Sequence, residues 1–291
     1  MNSILVTGAT GLLGSSLVPY LKNYGYNVVT HGRNTGADVM VDLSSQVEAG
    51  TMLDKVQPSV IINLVGLTNV ELCERQVSLA YLANTRSVEN IVYWIASKNS
   101  ACHLVQISTD HIYDGHGLNA EDNVIVTNNY ALTKYAGELS AFKVPSTILR
   151  TNFIGRSRVS YRESFSDWLY RSLNTNQRIQ ILDDVSFSPL SINVLLEMIR
   201  LVLEKRPIGV YNLGSKNGMS KADLCVAFAE CCGFSIDSMQ RIDSVNASFI
   251  KTYRPRNMMM NSTKFEEALD VELPNLMDLI KYIAQEYHET T

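Results

Sequence analysis

A chain of 291 residues is long enough for one large α/β domain or for two lobes. Its net charge is -4, and it has no run of Lys or Arg, which argues against nucleic acid or an anionic membrane as the main partner. No stretch of 18 consecutive apolar residues is present. We therefore expect no membrane span, no signal peptide and a cytoplasmic location.

The cysteines and histidines do not suggest a metal site. The five cysteines have neither metal-ligand spacing nor an even disulfide framework, which favours reduced thiols. The five histidines form no pair three or four residues apart. We therefore expect chemistry that needs no metal.

Short apolar strands alternate with helical segments from residue 4 to residue 150, which predicts an α/β fold with a doubly wound parallel sheet. The predicted strands are 4–7, 27–30, 39–43, 59–65 and 103–107, and the predicted helices are 15–23, 44–53 and 80–98. The alternation stops between residues 155 and 187, and a return strand follows at 209–213. We predict a dinucleotide-binding Rossmann domain, residues 1–153 plus 187–214, and a smaller lobe, residues 154–186 plus 215–291.

A glycine-rich turn joins the first strand to the first helix. Gly8 would permit a tight turn, Gly11 would let the backbone approach a pyrophosphate, and Gly14 would let the helix pack on the sheet. The phosphates would then lie at the helix N-terminus. The spacing is GxxGxxG rather than GxGxxG, and a turn that binds nothing is the alternative.

The cofactor is predicted from the ends of the next strands. The second strand lacks the acid that binds the ribose of NAD, and Arg33 is placed to bind a 2′-phosphate, so NADPH is favoured over NADH. Arg33 as a solvated loop residue is the alternative. Asp42 and Leu43 would meet the adenine, although Asp42 could instead cap a helix.

The fourth strand is apolar along nearly its whole length, as expected of a strand buried on both faces of a parallel sheet. Val65 and Gly66 follow at its carboxyl end, where the backbone would lie against the cofactor. The other residues that we assign to the cofactor site are Thr10, Leu12, Leu13 and Leu64.

Tyr130 and Lys134 stand four residues apart and so share one helix face. An ammonium beside a phenol in a dry site favours the phenolate and brings the phenol's pKa toward neutrality. Thr109 follows a buried strand, where its hydroxyl would polarise the same substrate oxygen. A lone YxxxK pair is usually a solvated helix face. Asn84, on the preceding helix, would either bridge to the site or satisfy a strand carbonyl.

Taken in order, these motifs resemble the extended short-chain dehydrogenase/reductases, and most closely the dTDP-4-dehydrorhamnose reductase family. The resemblance covers nearly the whole chain. The segments that carry it are GATGLLG at 8–14, NLVGLTNVELCE at 63–74, STDHIYDG at 108–115, YALTKYAGE at 130–138, LRTNFIG at 149–155, GVYNLG at 209–214 and RPRNMMMNSTKFE at 254–266.

The resemblance implies reduction of the 4-keto group of a nucleotide-diphosphate 4-keto-6-deoxy sugar, with Thr109, Tyr130 and Lys134 as the catalytic residues. The nicotinamide would give hydride to C4, Tyr130 would protonate O4, and Thr109 would hydrogen-bond to O4. Lys134 would bind the nicotinamide ribose, so Tyr130 and Lys134 also belong to the cofactor site. The implied substrate-binding residues are Thr109, Asp110, Phe153, Arg254 and Arg256. Core packing for Phe153 and simple solvation for the two arginines are the alternatives.

The chain departs from the family pattern at several positions and leaves other functions open. Phe153 stands where the family commonly has Trp, and His111 where it commonly has Tyr. Ser15 and Ser16 stand in place of the acidic residues that support a metal-bridged dimer in some members, so a homodimer stays an open possibility. The alternatives in function are a 4-epimerase or dehydratase on the same fold and a non-catalytic NADP-binding regulatory subunit.

Overall fold

The computed structural model describes residues 3–33 and 35–288. The chain forms two compact units: the first comprises Met1–Thr109, Asn128–Arg150 and Leu196–Tyr211, and the second comprises Asp110–Thr127, Thr151–Leu195 and Asn212–Thr291. The two-domain division predicted from the sequence stays a prediction.

The elements alternate between strand and helix through the first half of the chain. In chain order they are β1 (Ile4–Thr7), α1 (Gly14–Asn23), β2 (Val28–Gly32), β3 (Val39–Met40), α2 (Gln46–Val56), β4 (Val60–Asn63), α3 (Val70–Arg75), α4 (Val77–Tyr81), a π-helical segment (Leu82–Arg86), α5 (Ser87–Lys98), β5 (His103–Ile107), α6 (Asn129–Ala141), β6 (Ser146–Thr151), β7 (Phe153–Ile154), α7 (Phe165–Asn174), β8 (Ile179–Leu182), β9 (Ser186–Phe187), β10 (Leu190–Ser191), α8 (Ile192–Lys205), β11 (Gly209–Leu213), β12 (Met219–Ser220), α9 (Lys221–Cys231), β13 (Met239–Ile242), α10 (Thr263–Leu269) and α11 (Leu276–His288). Short 3₁₀ turns lie at Asp110–Ile112 and Ser244–Asn246.

The central sheet has seven parallel strands in the order β11-β6-β5-β4-β1-β2-β3. β1 lies between β2 and β4, with Ile4 opposite both Val28 and Val60. The chain therefore winds outward in one direction from β1 to β3 and in the other direction from β4 onward. This arrangement confirms the predicted doubly wound fold, and its switch point lies at the carboxyl ends of β1 and β4, where such sheets bind ligands.

The strands of the sheet form because their side chains are buried on both faces. Leu5, Ile61 and Leu104 are fully buried, and they pack with α2 and α5 in one hydrophobic cluster. An alternation of apolar and polar residues therefore does not identify these strands in the sequence, whereas unbroken apolar runs do.

One predicted helix, 80–98, is not continuous. The chain forms α4, widens into the π-helical segment and then continues as α5. α6 packs closely against the widened turn, since a Cβ on Gly137 would lie 2.5 Å from the carbonyl oxygen of Asn84. Single π turns of this kind often occur at functional sites.

In the second unit, as far as it is described, there are three two-stranded ladders: β7 with β10 and β8 with β13 are parallel, and β9 with β12 is antiparallel. Its hydrophobic core lies among α7, α9 and α11 and includes Leu169, Phe228 and Ile280. The ring of Tyr170 stacks on that of Tyr287, with centroids 4.6 Å apart.

Candidate functional site

In the glycine turn, Gly8 has the tight-turn conformation predicted for it and Gly14 packs against the turn itself, while the roles of Gly8, Gly11 and Gly14 in binding a cofactor stay predictions. Gly8 has a φ of +70°, and a Cβ there would lie 3.1 Å from the carbonyl carbon of Leu64. A Cβ on Gly14 would lie 2.5 Å from the carbonyl oxygen of Ala9, closer than any side chain could be accommodated without a backbone shift. Leu13 is the N-cap residue of α1, and its apolar side chain accepts no hydrogen bond from the N–H groups of the first helical turn. Such a helix N-terminus suits phosphate groups.

The predicted adenosine end of the cofactor site lies after β2 and β3. The side chain of Arg33 is exposed, and Asn34 beside it lies outside the described residues. The Oδ1 atom of Asp42 accepts from the backbone N–H of Ser44 at 2.9 Å, whereas Ser45 is the residue that caps α2. The alternative in which Asp42 caps that helix is therefore wrong, because the local turn of Asp42 ends before the helix begins. Roles for Arg33, Asp42 and Leu43 in cofactor binding stay predictions.

The segment after β4 passes close to the helix residues of the site. The backbone N–H of Val65 donates to Oδ1 of Asn63 at 3.2 Å. A Cβ on Gly66 would lie 3.2 Å from Oδ1 of Asn84 and 3.7 Å from Nζ of Lys134. A side chain at position 66 would therefore crowd both groups.

The three predicted catalytic residues are all buried, and all belong to the first unit. The side chain of Asn128 caps α6 by accepting from the N–H of Ala131 at 2.9 Å, which sets the start of the helix that carries Tyr130 and Lys134. Nζ of Lys134 donates to the carbonyl oxygen of Ile107 at 2.7 Å. Helix α6 is therefore tied to the end of β5, two residues before Thr109.

Lys134 has an unusual electrostatic environment. Its side chain is only 7% exposed, and burial lowers the pKa of its ammonium group to about 8, while Glu138 one turn further along α6 raises that pKa. A desolvated ammonium acts more strongly on a nearby phenol than a solvated one does.

A buried polar network that the sequence analysis did not identify lies one turn beyond Lys134. The hydroxyl of Ser108 donates to Oε1 of Glu138, and Nη2 of Arg150 lies 2.7 Å from Oε2 of the same carboxylate. Glu138 is four residues after Lys134, so the repeated spacing Tyr130-Lys134-Glu138 on one helix face is the signal that could have revealed it.

Asn84 links the π-helical segment to its surroundings. Its Oδ1 atom accepts from the N–H of Leu67 at 2.7 Å, and its Nδ2 group donates to Oγ1 of Thr133 at 3.0 Å. Nδ2 also donates to the carbonyl oxygen of Leu67 at 3.1 Å. Asn84 thus bonds to the loop after β4 and to α6. The carbonyl that it satisfies belongs to that loop and not to a strand, and a role for Asn84 in the site stays a prediction.

The predicted substrate-binding residues other than Thr109 lie in the second unit. Asp110 is buried and accepts from Nδ2 of Asn152 at 2.8 Å, and Phe153 is half-buried in β7. The guanidinium of Arg256 lies 3.6 Å from Asp184, and Arg254 is half-buried. Their roles toward a substrate stay predictions.

Two further features belong to the second unit. Burial lowers the pKa of His111 to about 3, and the charges of Lys221 and Arg254 act in the same direction. A cavity of about 1010 Å³ is lined by aromatic side chains and by two cationic ones, namely Phe165, Trp168, Phe249, Arg178 and Lys221, among others.

Residues 3–33 and 35–288 contain neither a membrane-spanning helix nor a metal-binding cluster. No helix in these ranges has the length and apolar character needed to cross a bilayer. The same residues contain no cluster of three or more His, Cys, Asp or Glu side chains arranged to hold a metal ion.

Comparison with known proteins places this geometry in context. A family model described as the RmlD substrate binding domain matches residues 1–289. The spore coat polysaccharide biosynthesis protein SpsK of Bacillus subtilis is 26% identical over 273 residues, which cover 92% of each chain. A dTDP-4-dehydrorhamnose reductase of Aggregatibacter actinomycetemcomitans is 26% identical over 301 residues, covering 97% of this chain and 98% of that one.

Solved structures show the same fold. A dTDP-4-dehydrorhamnose reductase from Bacillus anthracis in complex with NADP superimposes with a TM-score of 0.88 at 21% identity, covering 98% of this chain and all of that one. A hypothetical dTDP-4-dehydrorhamnose reductase from Sulfolobus tokodaii superimposes with a TM-score of 0.83 at 26% identity, covering 96% of this chain and 98% of that one.

Proposed function

The chain belongs to the family defined by the RmlD substrate binding domain, whose model matches residues 1–289, and we propose from this premise that it is an NADPH-dependent reductase of a nucleotide-linked 4-keto-6-deoxyhexose. The predicted membership of the dTDP-4-dehydrorhamnose reductase family is confirmed. The proposed role is deoxysugar or polysaccharide biosynthesis. The observation that carries the proposal is the buried ammonium of Lys134, held on the backbone of Ile107 one helical turn from Tyr130.

The residues of the first unit suit a nicotinamide dinucleotide. The positive φ of Gly8 and the close approach of Gly14 to Ala9 leave no room for side chains beside the start of α1, where phosphates would bind. Because Gly66 has no side chain, the space beside Nζ of Lys134 is left unfilled. The choice of NADPH over NADH depends on the exposed guanidinium of Arg33, which suits a 2′-phosphate.

In the proposed reaction the protein's own side chains donate the proton and stabilise the charge that develops. A reduced nicotinamide, which Tyr130 and Lys134 would hold, would supply the hydride that C4 of the sugar receives. Tyr130 donates its proton to O4, and Lys134, charged below its pKa of about 8, stabilises the phenolate that remains. The hydroxyl of Thr109 donates to O4, so two positioned hydroxyls meet the charge that develops there.

The proposed substrate is a nucleotide-diphosphate 4-keto-6-deoxy sugar, bound by Asp110, Phe153, Arg254 and Arg256 in addition to Thr109. Arginine suits a diphosphate because its planar fork of N–H groups matches two phosphate oxygens. Two relatives support this class of substrate by their names, since one is a dTDP-4-dehydrorhamnose reductase and the other a protein of polysaccharide biosynthesis.

The proposal is tested by following NADPH oxidation with a panel of 4-keto-6-deoxy sugar nucleotides that differ in base and sugar. We expect oxidation that requires the sugar nucleotide, faster with NADPH than with NADH. Replacing Arg33 with Ala should reduce that cofactor preference, and Arg75→Ala, at the end of α3, serves as the matched surface control.

Two results would contradict the reductase. NAD that stays bound through purification, together with interconversion of 4-epimers, would indicate an epimerase. NADP binding with no oxidation for any member of the panel would indicate a regulatory subunit.

A further inference from the structure

We propose that Glu138 is a positioning residue for this reaction, whose carboxylate holds the end of β5, and with it Thr109, in place against the helix that carries Tyr130 and Lys134. The effect of Glu138 on catalysis rests on the proposed function. Its geometry is given by contacts within the first unit.

Two successive turns of α6 hold two successive residues of the strand end. Nζ of Lys134 donates to the carbonyl oxygen of Ile107 at 2.7 Å, and the hydroxyl of Ser108 donates to Glu138. Thr109 is the next residue. Because the chain is bonded to α6 at the two positions that precede it, the place of the Thr109 hydroxyl relative to α6 depends on both bonds.

Arg150 fixes the carboxylate from the neighbouring strand. Its Nε and Nη2 groups lie 3.0 Å and 2.7 Å from Oε2 of Glu138, a two-point contact that suits a planar guanidinium. The side chains of Arg150 and Glu138 are 2% and 0% exposed, so each charge is compensated by the other. β6 is hydrogen-bonded to β5 next to this point, where the N–H of Ser108 donates to the carbonyl oxygen of Leu149 at 2.7 Å. The carboxylate therefore joins α6, β5 and β6.

Glu138 also acts on the charge of Lys134. It is the carboxylate that favours the ammonium form of Lys134 against burial. Arg150 contacts Glu138 from β6. The elements packed against α6 carry further titratable side chains, namely Glu71, Cys73, Glu74 and Arg75 on α3, Tyr81 on α4, Arg86 in the π-helical segment, Glu89, Tyr93 and Lys98 on α5, and His103 on β5. Among these, Arg86 pairs with Glu89 at 3.1 Å in a partly exposed contact, and Glu74 accepts from the backbone N–H of Asn129 at 3.1 Å. Glu138 thus has a geometric and an electrostatic effect on the same site.

The geometric effect is tested with Ser108→Ala, which removes one bond and leaves the ion pair intact. The matched control is Ser140→Ala, a buried hydroxyl on the same helix that donates to the carbonyl oxygen of Ala136. We expect Ser108→Ala to lower kcat about tenfold to a hundredfold, with KM and NADPH affinity near those of the parent, because small misplacements of a reacting group are costly. Both variants should melt at similar temperatures. A fall in melting temperature with an unchanged kcat would indicate a structural role alone and would overturn the inference.

The electrostatic effect is tested without any substrate. Glu138→Gln alone would leave Arg150 buried and unpaired, so the double variant Glu138→Gln with Arg150→Met is used to remove both charges at similar volume. Heteronuclear NMR of isotopically labelled lysine, assigned with Lys134→Met, reports the titration of Lys134. We expect its pKa to fall from about 8 by about one unit. An unchanged pKa would overturn the electrostatic part.

Different results would contradict the proposed function and the role of Glu138. A parent protein that oxidises no NADPH with any sugar nucleotide would contradict the proposed function, while the titration of Lys134 would still decide whether Glu138 acts on the charge of Lys134. A parent protein that is active and whose Ser108→Ala variant keeps its full kcat would contradict the role of Glu138 alone.

Discussion

The two units of the chain hold their polar side chains by different means. In the first unit, side chains of α6 bond to the end of a central strand, as Lys134 does to Ile107. In the second unit, one loop holds another: Asp114 accepts from the hydroxyl of Tyr253 at 2.8 Å and from the N–H of Arg256 at 2.6 Å. Regular elements keep reacting groups in place to within a fraction of an ångström, whereas loops suit recognition. We therefore expect substitutions in the first unit to change turnover and those in the second to change substrate affinity.

The largest effect is expected from Tyr130→Phe. The variant keeps the ring that packs with Val70 and Cys73 and loses only the proton donor. We expect turnover to fall by about 10²–10⁴ while NADPH affinity stays nearly the same. Steady-state kinetics and cofactor titration measure the two quantities, and near-normal turnover would contradict the assignment of Tyr130.

Gly14→Ala is expected to destabilise the first unit. The new methyl group would lie 2.5 Å from the carbonyl oxygen of Ala9, so the turn must shift, at a cost of about 1–3 kcal/mol in the free energy of unfolding. Gly50→Ala is the matched control, because Gly50 lies within α2 with open space around the new methyl group. It should stabilise the protein by about 0.8–1 kcal/mol. Chemical denaturation measures both, and equal effects of the two substitutions would contradict the close packing at Gly14.

The pH dependence of reduction should reflect Lys134. Below its pKa of about 8 the ammonium is present, and as pH rises through this value the proton is lost and Tyr130 loses its charged neighbour. We expect kcat/KM for reduction to fall about tenfold per pH unit above that point, since this parameter reports groups of the free enzyme. A plateau extending to pH values near the ordinary lysine pKa of about 10.4 would contradict the depressed pKa.

The smallest effect on catalysis is expected from Asp114→Ala in the second unit. Loss of its bonds to Tyr253 and Arg256 loosens the basic segment 253–257, to which we assign the nucleotide diphosphate. We expect KM for the sugar nucleotide to rise about tenfold, with kcat within about twofold of the parent, because only uniform binding is lost. Asp122→Ala, in an exposed loop of the same unit, is the control. A fall in kcat with unchanged KM would reverse the assignment of roles to the two units.

Much of the first unit could be predicted because its signals are local. β1 and β5 have the bounds that their apolar runs predicted, and Gly8 has the positive φ that a tight turn requires. The second unit was harder to predict, since its two-residue strands β9 and β10 are too short to produce a pattern. The break at Leu82–Arg86 was also missed, because a π turn depends on how closely α6 packs and not on the helix's own periodicity.

The sequence by itself determined the fold class, the glycine turn and the shared helix face of Tyr130 and Lys134, because strand burial and helical spacing are properties of neighbouring residues. Only the tertiary structure decided that Glu138 bonds to Ser108 and Arg150, residues 30 and 12 positions away. It also decided how far Lys134 is desolvated. Burial and pairing of charges depend on which elements meet in space, and no pattern within one segment contains that information.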